Sequence, residues 1–469
     1  MCFYILNFQS KSEQQFMTKL SKLTLALMLA GASSNVFAAD LDTLQTQLKQ
    51  LKQQMQMLEQ QLAAEKTKQQ KINEQHEQQV AQISKKAEQT TVVAATKAEE
   101  KESAGITVGG AIRTNYSVTS YSEGNEDRLG DFDFDIFRLN LSGEVGGVLL
   151  GGEIRFFDYM TVIKSAWAGY QLNDEWQVQA GITKVPFGND PYNSHNYFFS
   201  TNYYIGLEDD HDLGIMFKRK VSDNWQLDLG FFKNDELGGV DGYVEDRSHR
   251  YSYDIVGSRS AGEGIYADPA TKADPTADPS IIGGSPLGEY NTFTGRFAYH
   301  FEHGEGITTE VGISALAGGL HDGTDRAGDY NAWALHLNSH INNWNIQLQH
   351  GEYNYNVDNI DRMAVGAYGF YDSIAADATT STFNVAYSVP VQWGPVSNLQ
   401  FYNDYGIIYN KSDNSANTWM NVTGVSVAAG GLFTYIDYVH ARNQPFVGGS
   451  IAGNGETESR FNINLGYYF

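Results

Sequence analysis

The chain has 469 residues, a formal net charge of -24 and only 19% charged residues. So acidic a balance excludes a nucleic-acid partner, because phosphate contact needs a basic face. Gly (47), Tyr (28) and Phe (25) are abundant and Pro is scarce (9). With a mean hydropathy of -0.39, that composition is unlike a soluble enzyme and suits membrane strands that are apolar on one face only.

Residues 17–38 read as a secretory signal peptide: Lys19 and Lys22, an apolar run from Leu23 to Ala30, then the small-residue cleavage pattern Val36-Phe-Ala38. The run is too short for a membrane-spanning helix, which needs about 20 apolar residues. Residues 1–16 carry no targeting logic and are grouped with it as a leader, 1–38. The only cysteine, Cys2, lies in that leader, so no disulfide or thiol chemistry is expected after export.

Residues 39–89 are rich in Gln, Lys, Glu and Leu and contain no Gly or Pro. Leu41, Leu48, Met55 and Leu62 share one heptad position, and Leu44, Leu51 and Leu58 share the other. That spacing predicts a helical coiled coil of about three heptads, with a solvated single helix as the alternative. Residues 90–104 read as a linker, and 105–469 as one β domain.

From Ile106 onward, sixteen alternating segments are bounded by turns. They fall near 106–116, 132–142, 149–156, 162–172, 175–185, 211–221, 225–233 and 290–302. The rest lie near 307–317, 330–341, 344–354, 381–389, 398–409, 417–428, 432–442 and 461–469. Short turns such as Asn342-Asn343 and Gly430-Gly431 alternate with long connections, the longest near 234–288 and 355–380. The former is expected to be an exposed loop. Short turns on one side and long loops on the other predict an all-β membrane fold, a sixteen-stranded antiparallel transmembrane β-barrel preceded by the helical segment. An even strand count leaves both ends of the barrel, and the coil, on the periplasmic side of an outer membrane.

The last segment alternates Phe461, Ile463, Leu465, Tyr467 and Phe469 with Asn462, Asn464, Gly466 and Tyr468. This pattern with a terminal Phe resembles the closing strand of bacterial outer-membrane barrels. The resemblance implies that Tyr467 and Phe469 belong to a signal for the barrel-assembly machinery, and that the apolar face meets outer-membrane lipid.

Gly181-Ile-Thr-Lys-Val-Pro-Phe-Gly188, Asp212-Leu-Gly-Ile-Met-Phe217 and Leu229-Gly-Phe-Phe-Lys-Asn234 resemble the phosphate-selective porin O and P family across residues 106–235. The resemblance implies a homotrimer of sixteen-stranded channels whose third loop folds inward as the constriction. Here that loop reads Tyr192 to Tyr204, with His195, Tyr197 and Tyr203, then Glu208, Asp209, Asp210 and Asp212. It is aromatic and then acidic rather than basic, so phosphate is not carried over. The coil placed ahead of a barrel is similar to that of dicarboxylate-type porins.

With apolar positions facing lipid, Arg113, Arg138, Arg155, Lys218, Arg296 and Arg460 face the lumen, as do Glu153, Asp228, Glu310 and Asp404. A lipid-facing Arg or Lys at mid-depth costs about 2–4 kcal/mol, so physics alone favours this phase. These residues either line a conducting pore or pair across the lumen to stiffen the wall. No GxSxG, phosphate loop or His/Cys metal spacing is present, so neither an enzyme nor a cofactor or metal site is expected. The function expected is passive diffusion of small hydrophilic solutes and ions. A channel selective for sugars, oligosaccharides, dicarboxylates or other small anions is the alternative, and a barrel serving as an anchor is a third reading.

Overall fold

The computed structural model describes residues 105–222, 224–241, 247–259 and 285–469. All of them fall in one compact unit, Glu102–Phe469. The leader, coil and linker expected over 1–104 lie outside the described residues.

Sixteen strands close into an antiparallel barrel. The first seven are β1 (Ile106–Thr119), β2 (Asp131–Val145), β3 (Val148–Phe156), β4 (Thr161–Gln171), β5 (Trp176–Lys184), β6 (His211–Ser222) and β7 (Trp225–Asp235). Next come β8 (Asp254–Arg259) and β9 (Ser285–Pro286), which stand outside the barrel wall, then β10 (Gly288–Gly304), β11 (Ile307–His321), β12 (Arg326–Ile341) and β13 (Trp344–Val357). Strands β14 (Arg362–Ala367) and β15 (Phe370–Ala375) also lie outside the wall. The barrel is completed by β16 (Asp377–Trp393), β17 (Val396–Tyr409), β18 (Thr418–Ala429), β19 (Leu432–Arg442) and β20 (Thr457–Tyr468). Each of the sixteen alternating segments in the sequence corresponds to one wall strand.

Closure is sealed at the chain terminus. β20 pairs with β1 from Ala111–Tyr468 to Thr119–Arg460. The amide of Gly110 donates to the Phe469 carbonyl at 2.9 Å, and the Phe469 amide donates back to the Gly110 carbonyl at 3.1 Å. No strand edge remains at this seam to recruit another chain. Along β20 the phase is as the alternation requires: Leu465, Tyr467 and Phe469 are exposed outward while Asn462 and Asn464 are buried inward.

Two-residue turns such as Gly146-Gly147, Asn342-Asn343 and Gly430-Gly431 join strands at one end. Aromatic residues gather there on the outer face, with Trp344 and Tyr387 rings 4.7 Å apart and Tyr299 and Phe301 also 4.7 Å apart. Amphipathic rings at that height form the girdle expected at a membrane–water boundary.

The opposite, loop end is filled. β15, β14, β8 and β9 form a second sheet built from the fourth loop (236–287) and the sixth (358–376). Its Ile255, Met363, Val365 and Ile374 join a single apolar cluster with Phe199, Tyr204, Ile205 and Leu207 of the third loop (185–210) and Val447 and Ile451 of the eighth (443–456). The fourth loop is therefore not simply exposed. Tyr253 and Ile255 are buried and Arg250 has no exposed surface, because apolar side chains in facing loops bury one another even where no lipid is at hand. Residues 260–284 of that loop, which carry Asp-Pro at 268, 274 and 278, lie outside the described residues.

Candidate functional site: an eyelet between the third loop and an arginine wall

The third loop leaves β5 and returns to β6 across a backbone bond from Val185 to the Asp210 carbonyl, 2.8 Å. From that stalk it folds into the lumen and is stitched to the far wall strand by strand. The Gly188 amide donates to Ser314 Oγ of β11 at 2.9 Å, and Arg296 Nε of β10 donates to the Gly188 carbonyl at 2.8 Å. Gly188 has φ +61°, and a Cβ there would lie 2.1 Å from Gln349 Oε1. That left-handed backbone favours glycine, and any side chain there would have to push Gln349 aside.

Further along, the Asn189 amide donates to Gln349 Oε1 of β13 at 2.8 Å. Asn193 Nδ2 donates to Thr382 Oγ1 of β16 at 2.9 Å, and Asn384 Nδ2 to the Asn193 carbonyl at 2.7 Å. His195 and Asn196 then bind Asp404 of β17. Tyr197 crosses to the other side, where its hydroxyl donates to Asp135 of β2 and accepts from Arg113 Nη2 of β1 at 2.9 Å. A long loop inside a barrel keeps its shape only where its backbone polar groups find partners; here the polar lumen face of the strands supplies them.

The far wall being occupied, open space remains beside β1, β2, β3 and β20. It forms a cavity of about 810 Å³ lined by Arg113, Arg138, Arg155 and Arg460 on the wall and by Tyr192, Tyr197, Phe198, Glu208 and Asp209 on the loop. Tyr251 and Tyr368 close it from the fourth and sixth loops. Its lining runs from Phe157–Tyr159 at the loop end to Gly430 and Gly431 at the turn end, so it crosses the barrel.

Each wall arginine lies over an aromatic ring. Arg113 is 4.8 Å from the centre of Tyr197, Arg138 5.3 Å from Tyr468, Arg155 4.5 Å from Tyr251 and Arg460 5.6 Å from Phe199. Ring faces attract cations and hold planar guanidinium groups flat. Arg113 is paired with Asp135 at 2.8 Å and Arg155 with Glu153 at 2.6 Å, whereas Arg138 reaches Glu153 only at 4.0 Å. Arg460 donates to Asn462 and the Phe446 carbonyl. On the loop side, Asp209 accepts from Lys164 of β4 at 2.7 Å and from the Tyr251 hydroxyl at 2.6 Å. Asp209 is buried, but the charges of Lys164, His211 and Lys184 outweigh that burial and hold its carboxyl well below the usual range. Burial pushes Glu208 up to about 7, although Ser200 and the Asn193 amide both donate to it.

The lumen and loop residues singled out in the sequence separate into four groups. Arg113, Arg138, Arg155 and Arg460 meet Tyr192, Tyr197, Tyr203 and Asp209 at the large cavity, with Glu153 beside them bonded to Arg155. Arg296, Glu310 and Asp404 face inward but are engaged in pinning the loop or in one another: Arg296 bonds both Gly188 and Glu310, and Asp404 holds His195. Lys218 and Asp228 sit opposite each other on β6 and β7, away from the cavity lining. Asp210 and Asp212 line a separate small cavity with Asp254 and Glu289, so of the three loop aspartates only Asp209 faces the passage. The hydrophobic cluster around the loop stem draws residues 210–212 behind the loop instead.

Sequence reasoning missed Lys164, Asp135, Tyr251, Tyr368 and Tyr435. The alternation Asp131-Phe-Asp-Phe-Asp135 in β2 carried a lumen signal for Asp135. Tyr251 and Tyr368 carried none, since their loops enter the barrel only through tertiary packing.

Residues 106–277 match the family model for phosphate-selective porin O and P. Solved structures similar to the chain include an anion-selective porin from Comamonas acidovorans, 12% identical with a TM-score of 0.47, covering 78% of this chain and 100% of that one. OmpT of Vibrio cholerae in a trimer form is 12% identical with a TM-score of 0.45, over 78% and 100% of the two chains. OmpF of Salmonella typhi is 10% identical with a TM-score of 0.47, over 78% and 98%. No curated protein gives a significant sequence match. A closed sixteen-stranded barrel, a third loop folded into its lumen, a passage that crosses it and the family match together make this chain an outer-membrane porin that resembles the phosphate-selective porin O and P family.

Proposed function

We propose that this passive channel favours small anions over cations. The observation that carries the reading is the wall of four arginines, each laid on an aromatic ring and turned toward the cavity. Stacked guanidinium groups keep donor edges free for carboxylate or phosphate-like oxygens. In a narrow passage such a row is screened less than at an open surface. Asp209 and Asp135 offset part of the charge through Lys164 and Arg113, and Asp133 and Asp158 also line the cavity, Asp133 within range of Arg460, which leaves Arg138, 4.0 Å from Glu153, as the most loosely paired cation. Nothing in the lining singles out phosphate among small anions, and the reading requires no reaction.

The test is single-channel recording of purified protein under a salt gradient. A reversal potential on the anion side is expected, and a cation-side potential in folded protein would overturn the proposal. A second reading rests on the rings themselves. Tyr192, Tyr197, Phe198 and Tyr435 line the same cavity, and aromatic faces with flanking polar groups suit sugar rings. Block of the current by an oligosaccharide at millimolar concentration supports that reading, and undisturbed current removes it. An absent current in inserted barrels favours an anchor instead. The assembly proposed is a homotrimer in outer-membrane lipid, delivered by the barrel-assembly machinery through Tyr467 and Phe469, with residues 39–89 as a periplasmic coil.

A further inference from the structure

Behind the third loop three carboxylates converge that belong to distant parts of the chain. Asp210 ends the loop, Asp212 is the second residue of β6, and Asp254 opens β8 in the fourth loop. One oxygen from each lies within 4.8 Å of the others. They border a small cavity of about 10 Å³, roughly the space of one water-sized sphere, and Glu289 lines it too.

Two independent facts separate this group from an ordinary acidic cluster. Asp212 is only 3% exposed, and its Oδ1, like that of Asp210, has no hydrogen-bond partner among the described residues. Buried carboxylate oxygens left in that state are costly. Neither neighbouring arginine pairs with Asp210 or Asp212, although one of them holds Asp254. Arg250 bonds Asp235 at 2.8 Å and one oxygen of Asp254 at 2.7 Å, and Arg247 is held by Asp235.

We propose that Asp210, Asp212 and Asp254 bind one Ca²⁺ ion, with Glu289 beside them, and that the ion clasps the stem of the third loop to the fourth-loop sheet. Oxygen-only, carboxylate-rich sites take hard cations. Coordination geometry then favours Ca²⁺, whose flexible six- to eight-oxygen shell suits three carboxylates held by separate elements, whereas Mg²⁺ demands a near-ideal octahedron and keeps several waters. The competing account is that the carboxylates share protons; burial and the neighbouring acids do push Asp210 well above the usual range. The inference is independent of what the channel carries.

Purified full-length protein, stripped with chelator, is titrated with CaCl₂ by calorimetry and with Tb³⁺ by luminescence. Tyr330 and Tyr355 line the cavity and can sensitise bound Tb³⁺. Expected are one Ca²⁺ per chain, tyrosine-sensitised emission that Ca²⁺ competes away and Mg²⁺ does not, and a melting point lowered by chelator. Asp210→Asn/Asp212→Asn should weaken Ca²⁺ binding by more than about tenfold, since affinity follows ligand charge, and should make melting indifferent to chelator. Asp254→Asn, checked for an intact barrel by heat-modifiable gel mobility, serves if the double variant does not fold. No stoichiometric binding at millimolar Ca²⁺ overturns the site in favour of shared protons, and so does unchanged binding in a folded variant.

Discussion

His195 Nδ1 of the third loop lies 2.7 Å from Asp404 Oδ1 on β17, while the backbone amides of His195 and Asn196 donate to the other carboxylate oxygen at 2.8 and 3.0 Å. One wall carboxylate thus fixes the point where the loop turns back toward the arginines. Asn345 Oδ1 meets the other ring nitrogen at 2.6 Å.

This contact is expected to respond to pH. Burial lowers the His195 pKa, but the Asp404 bond and charge, with Asn345, outweigh it and raise the value above 6.5. A histidine raised on folding stabilises fully below its unfolded pKa, and the contribution disappears as pH rises through the folded value. Melting of the wild type should therefore fall on the alkaline side of 6.5, and Asp404→Asn should flatten that slope. Asp404→Asn should also cost stability at neutral pH and increase current noise, because a buried pair is broken at one partner. Equal pH slopes in the two proteins would remove the role given to His195.

Glu208 lines the passage and titrates near neutrality. Its carboxyl keeps a proton up to about 7 in the folded chain, so between the usual carboxylate range and about 7 stability falls as pH rises. In the same passage, ionisation adds one negative charge facing the arginines. Reversal potential should move toward cations between about pH 6 and 8, and Glu208→Gln should abolish the movement. A pH-dependent potential that persists in the Gln variant assigns it to another group.

Among the three loop aspartates the structure distinguishes one from the other two. Asp209→Asn should move reversal potential toward anions, since it frees Lys164 beside the cavity, and should also destabilise by about 3–5 kcal/mol as one partner of a buried pair is removed. Asp210→Asn and Asp212→Asn should leave the potential where it is. Comparable shifts from all three would place residues 210 and 212 in the passage after all.

Removal of Phe469 deletes both backbone bonds to Gly110 at the seam, whereas Phe469→Ala keeps them and removes only the ring. If closure depends on backbone pairing, the deletion should lower the yield of heat-modifiable barrel more than the alanine does. Equal losses would assign the effect to the aromatic signal instead.

Leu44, Leu48, Leu51 and Leu58 lie in the segment expected to coil. Changing all four to Ser should leave the barrel inserted and lower the temperature at which trimers dissociate on gels. Trimers that withstand heat as the wild type does would favour a single solvated helix.

The wall of this protein is written in its sequence. A period of two, with apolar residues facing lipid and polar ones facing the lumen, set all sixteen strands and the inward phase of Arg113, Arg138, Arg155 and Arg460, because lipid penalises the wrong phase at every position. Gly188 and the family motif around it marked where the third loop departs. What that loop does once inside is a matter of long-range contacts: Asp404 of β17 selecting His195, Arg296 capturing the Gly188 carbonyl, Lys164 claiming Asp209. Asp254 stands more than forty positions from Asp212, and only the packing of the fourth-loop sheet onto the loop stem brings their carboxylates together. Periodicity reports a side chain's face, which is a local property; which charges share a depth and a partner is settled by closure of the barrel and by burial of the loops' apolar residues within it.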